Sequence, residues 1–477
     1  MKRKISVLFL GLCLALTACV KTPVKAPYLS AEATDAEKCR DLTRFPQDLN
    51  VYARLVGENK VLLPRDEQLK EDAEANAWFF SPWHLKKSAF KAKEALWAYN
   101  TLKPENAFAE NMRPFPPAYW EELKANCNAN AYPSRHEYGI TVRNTAMRGM
   151  PTHRPYLRNP DGAGEGFPFD YFQTTAVWIS TPVFISHVSV DGAWVMVETR
   201  LAAGWVPAED VAIIDAEDRE LWQELPLAAI IKDNVVLKSM GGADEVTGGP
   251  VTATAHIGTV LPMSSYQENK DAGALVVYFP VRGEKGQAFK LAARLEANEA
   301  VPKPMPLTAG NMARVGNAMM GQPYGWGGMY ENRDCSALTR DIMQTFGIWL
   351  PRNSANQGRW GTPVELTGLS PEEKEKKIVA EAAPFFSLVW LKGHIGLYLG
   401  AYEGVPVMYH NMWGLRTKDT ALAGKQQEGR AIIGKAVVTS LRPGAELPTI
   451  ANPNSLLDRI ERISILPRDD GKSREKK

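Results

Sequence analysis

The sequence predicts a multidomain protein of the α+β class. The chain has 477 residues, which is more than one ordinary hydrophobic core accommodates. Apolar residues recur at three- and four-residue spacing in residues 36–132 and mostly alternate at period two in residues 133–300. Residues 309–466 contain both patterns. The three regions therefore predict a helical domain, a β-rich part and a mixed C-terminal domain.

Residues 1–18 have the pattern of an export signal. MKRK is a positive start, and ISVLFLGLCLAL is an apolar stretch too short to cross a hydrocarbon core of about 30 Å. The LTAC that follows resembles the lipobox of bacterial lipoproteins, in which the cysteine, here Cys19, is acylated. This resemblance implies an exported protein that is lipid-anchored to the cell envelope on the periplasmic side. Val20 rather than Asp after the cysteine permits the outer membrane. The alternative is an ordinary secretory signal.

The charge balance argues against nucleic acid as the main partner. The formal net charge is +2, and removal of residues 1–18 leaves 53 basic and 54 acidic residues. A near-neutral chain without a basic block lacks the electrostatic footprint of a nucleic-acid-binding protein. The oligomeric state cannot be read from the sequence.

Short segments separate the domains. Residues 19–35 are rich in Pro, Ala and polar residues, as in a tether, and residues 301–308 (VPKPMPLT) form a Pro-rich linker. The charged residues 467–477 predict a disordered tail.

Two β-barrels are predicted between the helical domain, 36–132, and the linker. In residues 133–215, Asp191-Gly192 is a hairpin turn between alternating strands, and the later Gly-Trp-Val strand resembles those of small bacterial SH3-like barrels. Residues 216–300 repeat the pattern of short strands and predict a second SH3-like barrel.

If the chain is exported, its cysteines enter an oxidising compartment and can form disulfides. Cys13 leaves with the signal and Cys19 takes lipid, so Cys39, Cys127 and Cys335 remain. The sequence leaves open whether Cys39 and Cys127 pair. Cys335 has no obvious partner and is therefore a candidate reactive thiol.

Cys335 is predicted to lie at the start of a helix. Asp334 is a suitable cap, and Gly347 is a suitable stop. The apolar residues between them fall on one helical face: Leu338, Ile342, Met343 and Phe346. Because a helix N-terminus favours a thiolate, we expect the pKa of Cys335 to be lowered from ~8.5 to roughly 3.5–7.5.

Two histidines are predicted to meet beside this thiol. His394 begins the alternating segment HIGLYLG, and His410 lies in PVMYHN after the turn GAYEG. The midpoint of these positions falls inside the turn, so a hairpin places the two histidines opposite each other. The spacing predicts a Cys–His–His arrangement for an activated thiol. Zinc is disfavoured because no Cys/His cluster completes a four-ligand set, and we predict no metal and no cofactor.

These motifs resemble the NlpC family of bacterial cell-wall cysteine peptidases, which have a papain-like fold. The matching segments are PYGWGG, Asp334-Cys335-Ser336, PRNS at 351–354, GHIGLYLG and His410. The resemblance implies a papain-like domain over residues 309–466. It makes Cys335 the nucleophile, His394 the general base and acid, and His410 the orienting residue. Tyr324 is implied beside the thiolate, near the oxyanion.

Two features depart from the family pattern. Ala337 replaces the usual Gly after Cys-Ser. A charged insertion, residues 368–382, displaces a Gly-Asp turn and predicts an exposed helix.

The order of domains resembles the γ-D-glutamyl-L-diamino acid endopeptidases. The resemblance implies hydrolysis of the bond between D-Glu and a diamino acid in peptidoglycan stem peptides with a free N-terminal L-Ala. It also implies contacts of Asp334, Ser336 and Ser354 with the L-Ala-D-Glu portion. Asp170 or Tyr171 of the first barrel is a candidate for the amine.

Two other functions remain open on the sequence. One is a wall-tethered scaffold that binds peptidoglycan. The other is an amidase or transpeptidase on the same papain-like fold, since an acyl group on the thiol can pass to other acceptors. The sequence does not distinguish diaminopimelate from Lys in the substrate, or recycling from remodelling.

Overall fold

We describe the chain from a computed structural model. The described residues are 39–160, 165–240, 251–264, 273–417, 429–448, 450, 452 and 455–467. The predicted signal peptide, lipid-anchored Cys19 and tether lie outside them, as does the tail from residue 468 onward. Among the described residues, no helix is long and apolar enough to cross a membrane.

The N-terminal region is helical, as its periodicity predicted. Its helices are α1 (Asp41–Arg44), α2 (Leu49–Val56), α3 (Arg65–Phe79), α4 (Ala92–Ala95), α5 (Trp97–Thr101) and α6 (Pro117–Asn126). The helices bury their apolar faces against other domains. Leu49 and Tyr52 share a core with Met312 of the C-terminal domain, whereas Trp120 packs with Phe172 of the first β region. Such packing makes the region a brace between the domains.

The first β region is one antiparallel sheet of seven strands. They are β1 (Glu137–Thr141), β2 (Thr145–Arg148), β3 (Gln173–Val177), β4 (Pro182–Val188), β5 (Trp194–Glu198), β6 (Ala203–Pro207) and β7 (Val211–Ile213). The predicted hairpin turn is confirmed between β4 and β5, where Gly192 has φ +70°. The strand order is β3-β2-β6-β5-β4-β1-β7, with β3 and β7 at opposite edges. The predicted strands of the first barrel are present, but the sheet is open and does not close into a barrel.

The second β region also differs from the predicted barrel. After helix α7 (Ala216–Glu224) come β8 (Leu227–Ile230), β9 (Val235–Lys238), β10 (Thr252–Ala255), β11 (Val260–Pro262), β12 (Leu275–Arg282), β13 (Ala288–Leu295) and β14 (Ala300–Pro302). The strands form three small sheets, β10-β9, β11-β8-β14 and β12-β13. One core that includes Leu237, Val277 and Phe279 joins them. Strand β14 extends into the predicted linker, where Met305 and Leu307 are buried.

The C-terminal domain is a six-stranded antiparallel sheet with helices. Its elements are α8 (Ala309–Asn317), α9 (Cys335–Thr345), α10 (Ser354–Gln357), β15 (Thr362–Glu365), α11 (Pro371–Glu381), β16 (Ser387–Leu391), β17 (His394–Tyr402), β18 (Val405–Thr417), β19 (Gly429–Ser440), α12 (Ser455–Arg459) and β20 (Ile460–Ile465). The strand order is β15-β20-β16-β17-β18-β19. Leu338 and Ile342 of α9 share a core with Ile395 and Leu397 of β17, so the helix packs on the sheet beside the strand that His394 begins.

The helix predicted in the charged insertion is present. Helix α11 begins after Ser370, whose side chain accepts from the N–H of Glu373, while Glu373 accepts from the N–H of Ser370. This capping box explains why the helix starts there. Ile378 is buried against the domain and Val379 is exposed.

Candidate active site

The candidate nucleophile lies where the sequence placed it. Cys335 is the first residue of α9, and the Asp334 side chain caps the helix by accepting a hydrogen bond from the N–H of Ala337 at 2.9 Å. The N–H of Ile395, the residue after His394, lies near enough to the Cys335 sulfur to act against the rise that burial causes in the pKa of the thiol. The helix start and the histidine strand therefore meet at the sulfur.

An arginine that we did not single out in the sequence organises the helix start. Arg352 of the PRNS segment is 5% exposed and donates to Asp334 at 2.7 and 3.2 Å and to Ser336 Oγ at 3.0 Å. Burial raises the pKa of Asp334, but the Arg352 charge and its hydrogen bonds outweigh burial and hold that pKa below its ordinary value. Asp334 is thus an ionised cap, paired with a buried cation.

The first β region reaches this ion pair directly. Arg352 Nε donates to Thr175 Oγ1 of β3 at 2.7 Å, and Gln173 Nε2 donates to the carbonyl of Gly327 at 3.1 Å. Gly328 has φ +86°, and a Cβ there would lie 2.4 Å from the backbone nitrogen of Ala176. Only glycine permits such an approach of the two backbones. The YGWGG loop is therefore fixed against the neighbouring domain.

A second ionic cluster ties helix α9 to the second β region. Arg333 is fully buried and donates to Asp233 at 2.7 and 2.8 Å and to Asp341 of α9 at 2.7 Å. Trp178 of the first β region donates its indole N–H to the same Asp341 at 3.1 Å. Helix α9 is consequently linked to the second β region through Arg333 and to the first β region through the Trp178 indole.

The two histidines meet, although not in the predicted register. Leu397 pairs with Tyr409, and a bulge shifts the register between Tyr398 and Gly400. His410 consequently stands across from Gly396, where an added Cβ would lie 3.0 Å from the His410 Cβ. Directly opposed histidines were a wrong prediction, because the hairpin turns at Glu403-Gly404, between the paired residues Tyr402 and Val405, and not around residue 402. The rings still touch diagonally, with His394 Nε2 and His410 Nδ1 2.7 Å apart.

The hydroxyl of Thr439, on β19, lies within hydrogen-bond distance of His410. Its hydroxyl lies 3.0 Å from His410 Nε2 and donates to the carbonyl of Ser440 at 2.7 Å. Thr439 and His410 are both fully buried. We missed Thr439 in the sequence because alternation alone does not show which residues of β18 and β19 pair, and a threonine in an apolar strand carries no signal of its own.

Burial controls the protonation of the candidate catalytic groups. Burial and the Asp334 charge raise the pKa of Cys335 to about 12. Burial, with a contribution from Arg459, lowers the pKa of His394 to about 4, and burial lowers that of His410 well below its ordinary value. The predicted lowering of the Cys335 pKa is therefore wrong, because desolvation of the thiolate exceeds the effect of the helix N-terminus. The resting site holds a neutral thiol and neutral imidazoles.

The other predicted site residues differ in their surroundings. Burial raises the pKa of Tyr324, and this tyrosine is close enough to Cys335 that a thiolate there would raise that pKa further. Ser354 begins helix α10, two residues after Arg352. Asp170 is 2% exposed and forms a 2.7 Å ion pair with Arg148. Its other oxygen accepts the backbone N–H groups of Tyr156 and Phe172, so both oxygens of Asp170 have partners within the first β region.

Aromatic side chains form a wall beside Tyr324. The Trp413 ring centroid is 6.0 Å from that of Tyr324 and 5.9 Å from that of Phe169. Phe169 also contacts Trp326 at 5.1 Å, and Tyr171 lies 6.1 Å from Trp326. Phe169 and Tyr171 belong to the first β region, so that region supplies one side of the wall. Among the described residues, no group of three or more His, Cys, Asp or Glu side chains is arranged to hold a metal ion.

Comparison with protein families agrees with this geometry. Residues 321–420 match the NlpC/P60 family, residues 155–207 match the SH3 domain of the SH3b1 type, and residues 7–132 match the N-terminal NLPC_P60 stabilising domain. The C-terminal domain is an NlpC/P60 domain. The chain thus combines a helical N-terminal region, an SH3b domain and a papain-like C-terminal domain, and the sheets of the described residues are open.

Similar proteins carry related names. The solved structure of an NlpC/P60 endopeptidase from Photobacterium damselae subsp. piscicida has a TM-score of 0.77 and 24% identity, and it covers 89% of this chain and 98% of its own. The likeness establishes a shared fold. Two probable endopeptidases of Corynebacterium glutamicum are each 34% identical over 26% and 24% of this chain. These matches cover 54% and 49% of the relatives, so the chain spans about half the length of each.

Proposed function

We propose that this protein is a cysteine peptidase that hydrolyses the γ-D-glutamyl-L-diamino acid bond of peptidoglycan stem peptides. The observation that carries the proposal is the thiol of Cys335 at a capped helix start beside the hydrogen-bonded pair His394 and His410. Such a thiol, with a base that is itself oriented by a third group, is the general arrangement of an activated nucleophile.

The reaction begins from the neutral thiol. His394 accepts the thiol proton as the sulfur attacks the carbonyl carbon, so the C–S bond forms while the imidazolium appears. His394 then gives this proton to the leaving amine of the diamino acid as the C–N bond breaks, which leaves a thioester on Cys335. Water then attacks the thioester while His394 takes one of its protons, the C–S bond breaks, and His394 returns the proton to the Cys335 sulfur as the peptide with a free D-Glu γ-carboxyl group leaves.

Two donors are available for the oxyanion of the tetrahedral intermediate. The N–H of Cys335 lies in the first turn of α9, where backbone N–H groups have no partner within the helix. The Tyr324 hydroxyl is the second donor. Its pKa is raised well above the ordinary value, mainly by burial, so it keeps its proton. Donors at fixed positions stabilise charge that develops in the transition state.

The aromatic wall supports a preference for a free L-Ala terminus. Phe169 of the SH3b domain contacts Trp326 and Trp413, and Trp413 contacts Tyr324. A stem peptide that is still joined to the glycan through L-Ala has to continue past this wall. We place the L-Ala-D-Glu portion between the wall and the helix start, in reach of Asp334, Ser336 and Ser354. Since Asp334 and Ser336 both bond Arg352, a substrate there meets groups already fixed in place.

The peptide-release assay tests the reaction. Purified protein is incubated with L-Ala-γ-D-Glu-diaminopimelate, and free diaminopimelate is measured. We expect Cys335→Ala and His394→Ala each to abolish release with the fold retained by circular dichroism. Unchanged turnover by Cys335→Ala contradicts the assignment of the nucleophile. Amine added as an acceptor distinguishes hydrolysis from transpeptidation, because only the latter consumes it.

A second assay tests the preference for substrates with a free N-terminal L-Ala. The free tripeptide is compared with intact sacculi, and we expect only the tripeptide to be cleaved rapidly. Phe169→Ala removes part of the aromatic wall, so we expect it to reduce the difference between the rates at which the tripeptide and the sacculi are cleaved. Rapid cleavage of sacculi by the unaltered protein contradicts a requirement for free L-Ala and favours a remodelling enzyme.

Export and anchoring through Cys19 are part of the proposal. The support is the sequence of residues 1–19 alone. The mass of the mature N-terminus from membrane fractions is the test. An N-terminus that lacks lipid on Cys19 refutes the anchor and leaves the peptidase proposal intact.

A further inference from the structure

A threonine hydroxyl lies at the buried end of the histidine pair. Thr439 is on strand β19 and is fully buried, as is His410 on strand β18. Its Oγ1 atom lies 3.0 Å from His410 Nε2. The same hydroxyl donates its proton to the carbonyl of Ser440 at 2.7 Å. A hydroxyl has one proton, so Thr439 can only accept a hydrogen bond from His410.

This restriction fixes the protons of both histidines. Since Thr439 accepts, His410 Nε2 carries a proton, and the buried neutral ring therefore leaves Nδ1 as an acceptor. His394 Nε2 lies 2.7 Å from that Nδ1 atom and must be the donor. A neutral His394 with its proton on Nε2 has an unprotonated Nδ1. That nitrogen is the one left to take the proton of the Cys335 thiol.

We propose that Thr439 is a positioning residue that selects the tautomer of His410 and, through it, the tautomer of His394 in which Nδ1 is a base. The inference rests on the proposed peptidase function, because it explains how the base is prepared for that reaction. Thr439 touches neither sulfur nor substrate, so its effect passes through His410.

The opposite tautomers are disfavoured by the same hydroxyl. A proton on His410 Nδ1 forces His394 Nε2 to accept, which leaves the His394 proton on Nδ1 and removes the base. It also sets an unprotonated His410 Nε2 against a hydroxyl whose proton already belongs to Ser440. Two acceptors then face each other in a buried site, where an unmade hydrogen bond is costly. Thr439 thus favours the productive arrangement.

Thr439→Val tests the proposal, because valine keeps the shape and removes the acceptor. The buried His410 Nε2–H then has no acceptor, and we expect the pair to shift toward the opposite tautomers. The expected result is a fall in kcat for tripeptide hydrolysis of about 10- to 100-fold, the range known for loss of the hydrogen-bond partner behind a metal-binding histidine, with KM little changed. Thr439→Ser restores the hydroxyl, so we expect it to recover most of the lost rate.

Nitrogen chemical shifts of ¹⁵N-labelled histidine give a readout independent of activity. We expect His394 Nδ1 to have the shift of an unprotonated nitrogen in the unaltered protein and to move toward that of a protonated one in Thr439→Val. Thr345→Val is the matched control. Thr345 is a buried threonine at the end of α9 whose hydroxyl has no partner among the described residues, so its loss should change neither the shifts nor the rate.

Several outcomes overturn the proposal. Protonated His394 Nδ1 in the unaltered protein is one. Thr439→Val with the same shifts and a rate within twofold is another, and lost activity that serine does not recover, with unchanged shifts, is a third and indicates a packing role. If the unaltered protein fails to hydrolyse the tripeptide, the peptidase proposal fails, while the shifts still decide the role of Thr439.

Discussion

The buried ion pair at the start of helix α9 allows a quantitative test of the site. Arg352→Met removes a guanidinium that is 5% exposed and donates to Asp334, to Ser336 and to Thr175 of the SH3b domain. Methionine fills similar space but leaves the Asp334 carboxylate buried without its cation. Breaking a buried pair from one side costs about 3–5 kcal/mol. We therefore expect Arg352→Met to lower the free energy of unfolding of the C-terminal domain by about that amount at pH 7.

Urea unfolding followed by tryptophan fluorescence measures this loss. The matched control is Arg135→Met, which breaks the 3.6 Å pair of Arg135 with Glu137 on the surface and should cost about 0–1 kcal/mol. The double variant Arg352→Met with Asp334→Asn should lose less than Arg352→Met alone, because no charge is then left unpaired. A loss from Arg352→Met no larger than that of the surface control refutes the reasoning.

The sign of the pH dependence follows from the lowered pKa of Asp334. A carboxyl whose pKa is lowered by folding contributes stability that is complete above its unfolded value of ~3.9 and is lost as the pH falls through its folded value. Without Arg352, Asp334 takes up a proton at a higher pH. The difference between the unaltered protein and Arg352→Met should therefore shrink as the solution is acidified. A difference that grows in acid contradicts this account.

Two further predictions concern the base and the loop. Because the pKa of His394 is about 4, the acid limb of kcat/KM for tripeptide hydrolysis should have its midpoint near pH 4, and a midpoint near the ordinary histidine value of ~6.5 contradicts the burial of the base. Gly328→Ala should destabilise the protein more than Gly404→Ala in thermal unfolding. Both glycines have positive φ and incur about 1–2 kcal/mol, but only at Gly328 does the new Cβ meet backbone, that of Ala176. If the two variants lose the same stability, the backbone of Ala176 can move away from the new Cβ at no cost, which contradicts the prediction.

Local sequence was enough to predict the elements that carry the chemistry. Asp334 predicted the cap and start of α9, because an Asp before an apolar stripe can accept from the free N–H groups of the first turn. Asp191 and Gly192 predicted the hairpin turn, and Ser370 and Glu373 are the capping box of the predicted helix in the insertion. Each of these features is decided by residues within one turn or one hairpin.

Tertiary structure decided what depends on residues far apart in the chain. The turn at Glu403-Gly404, together with the β-bulge before Gly400, set His410 across from Gly396, and a period-two pattern reveals neither the exact turn position nor an added residue. Closure of a sheet depends on strand pairing over the whole domain, so the open sheets were not predictable from alternation. The pKa of Cys335 rose because the fold buries the thiol, against the local effect of the helix start. Arg352 and Thr439 became part of the site only when Thr175 and His410 were brought to them. Sequence fixes local hydrogen bonding, whereas desolvation and register are set by the assembled fold.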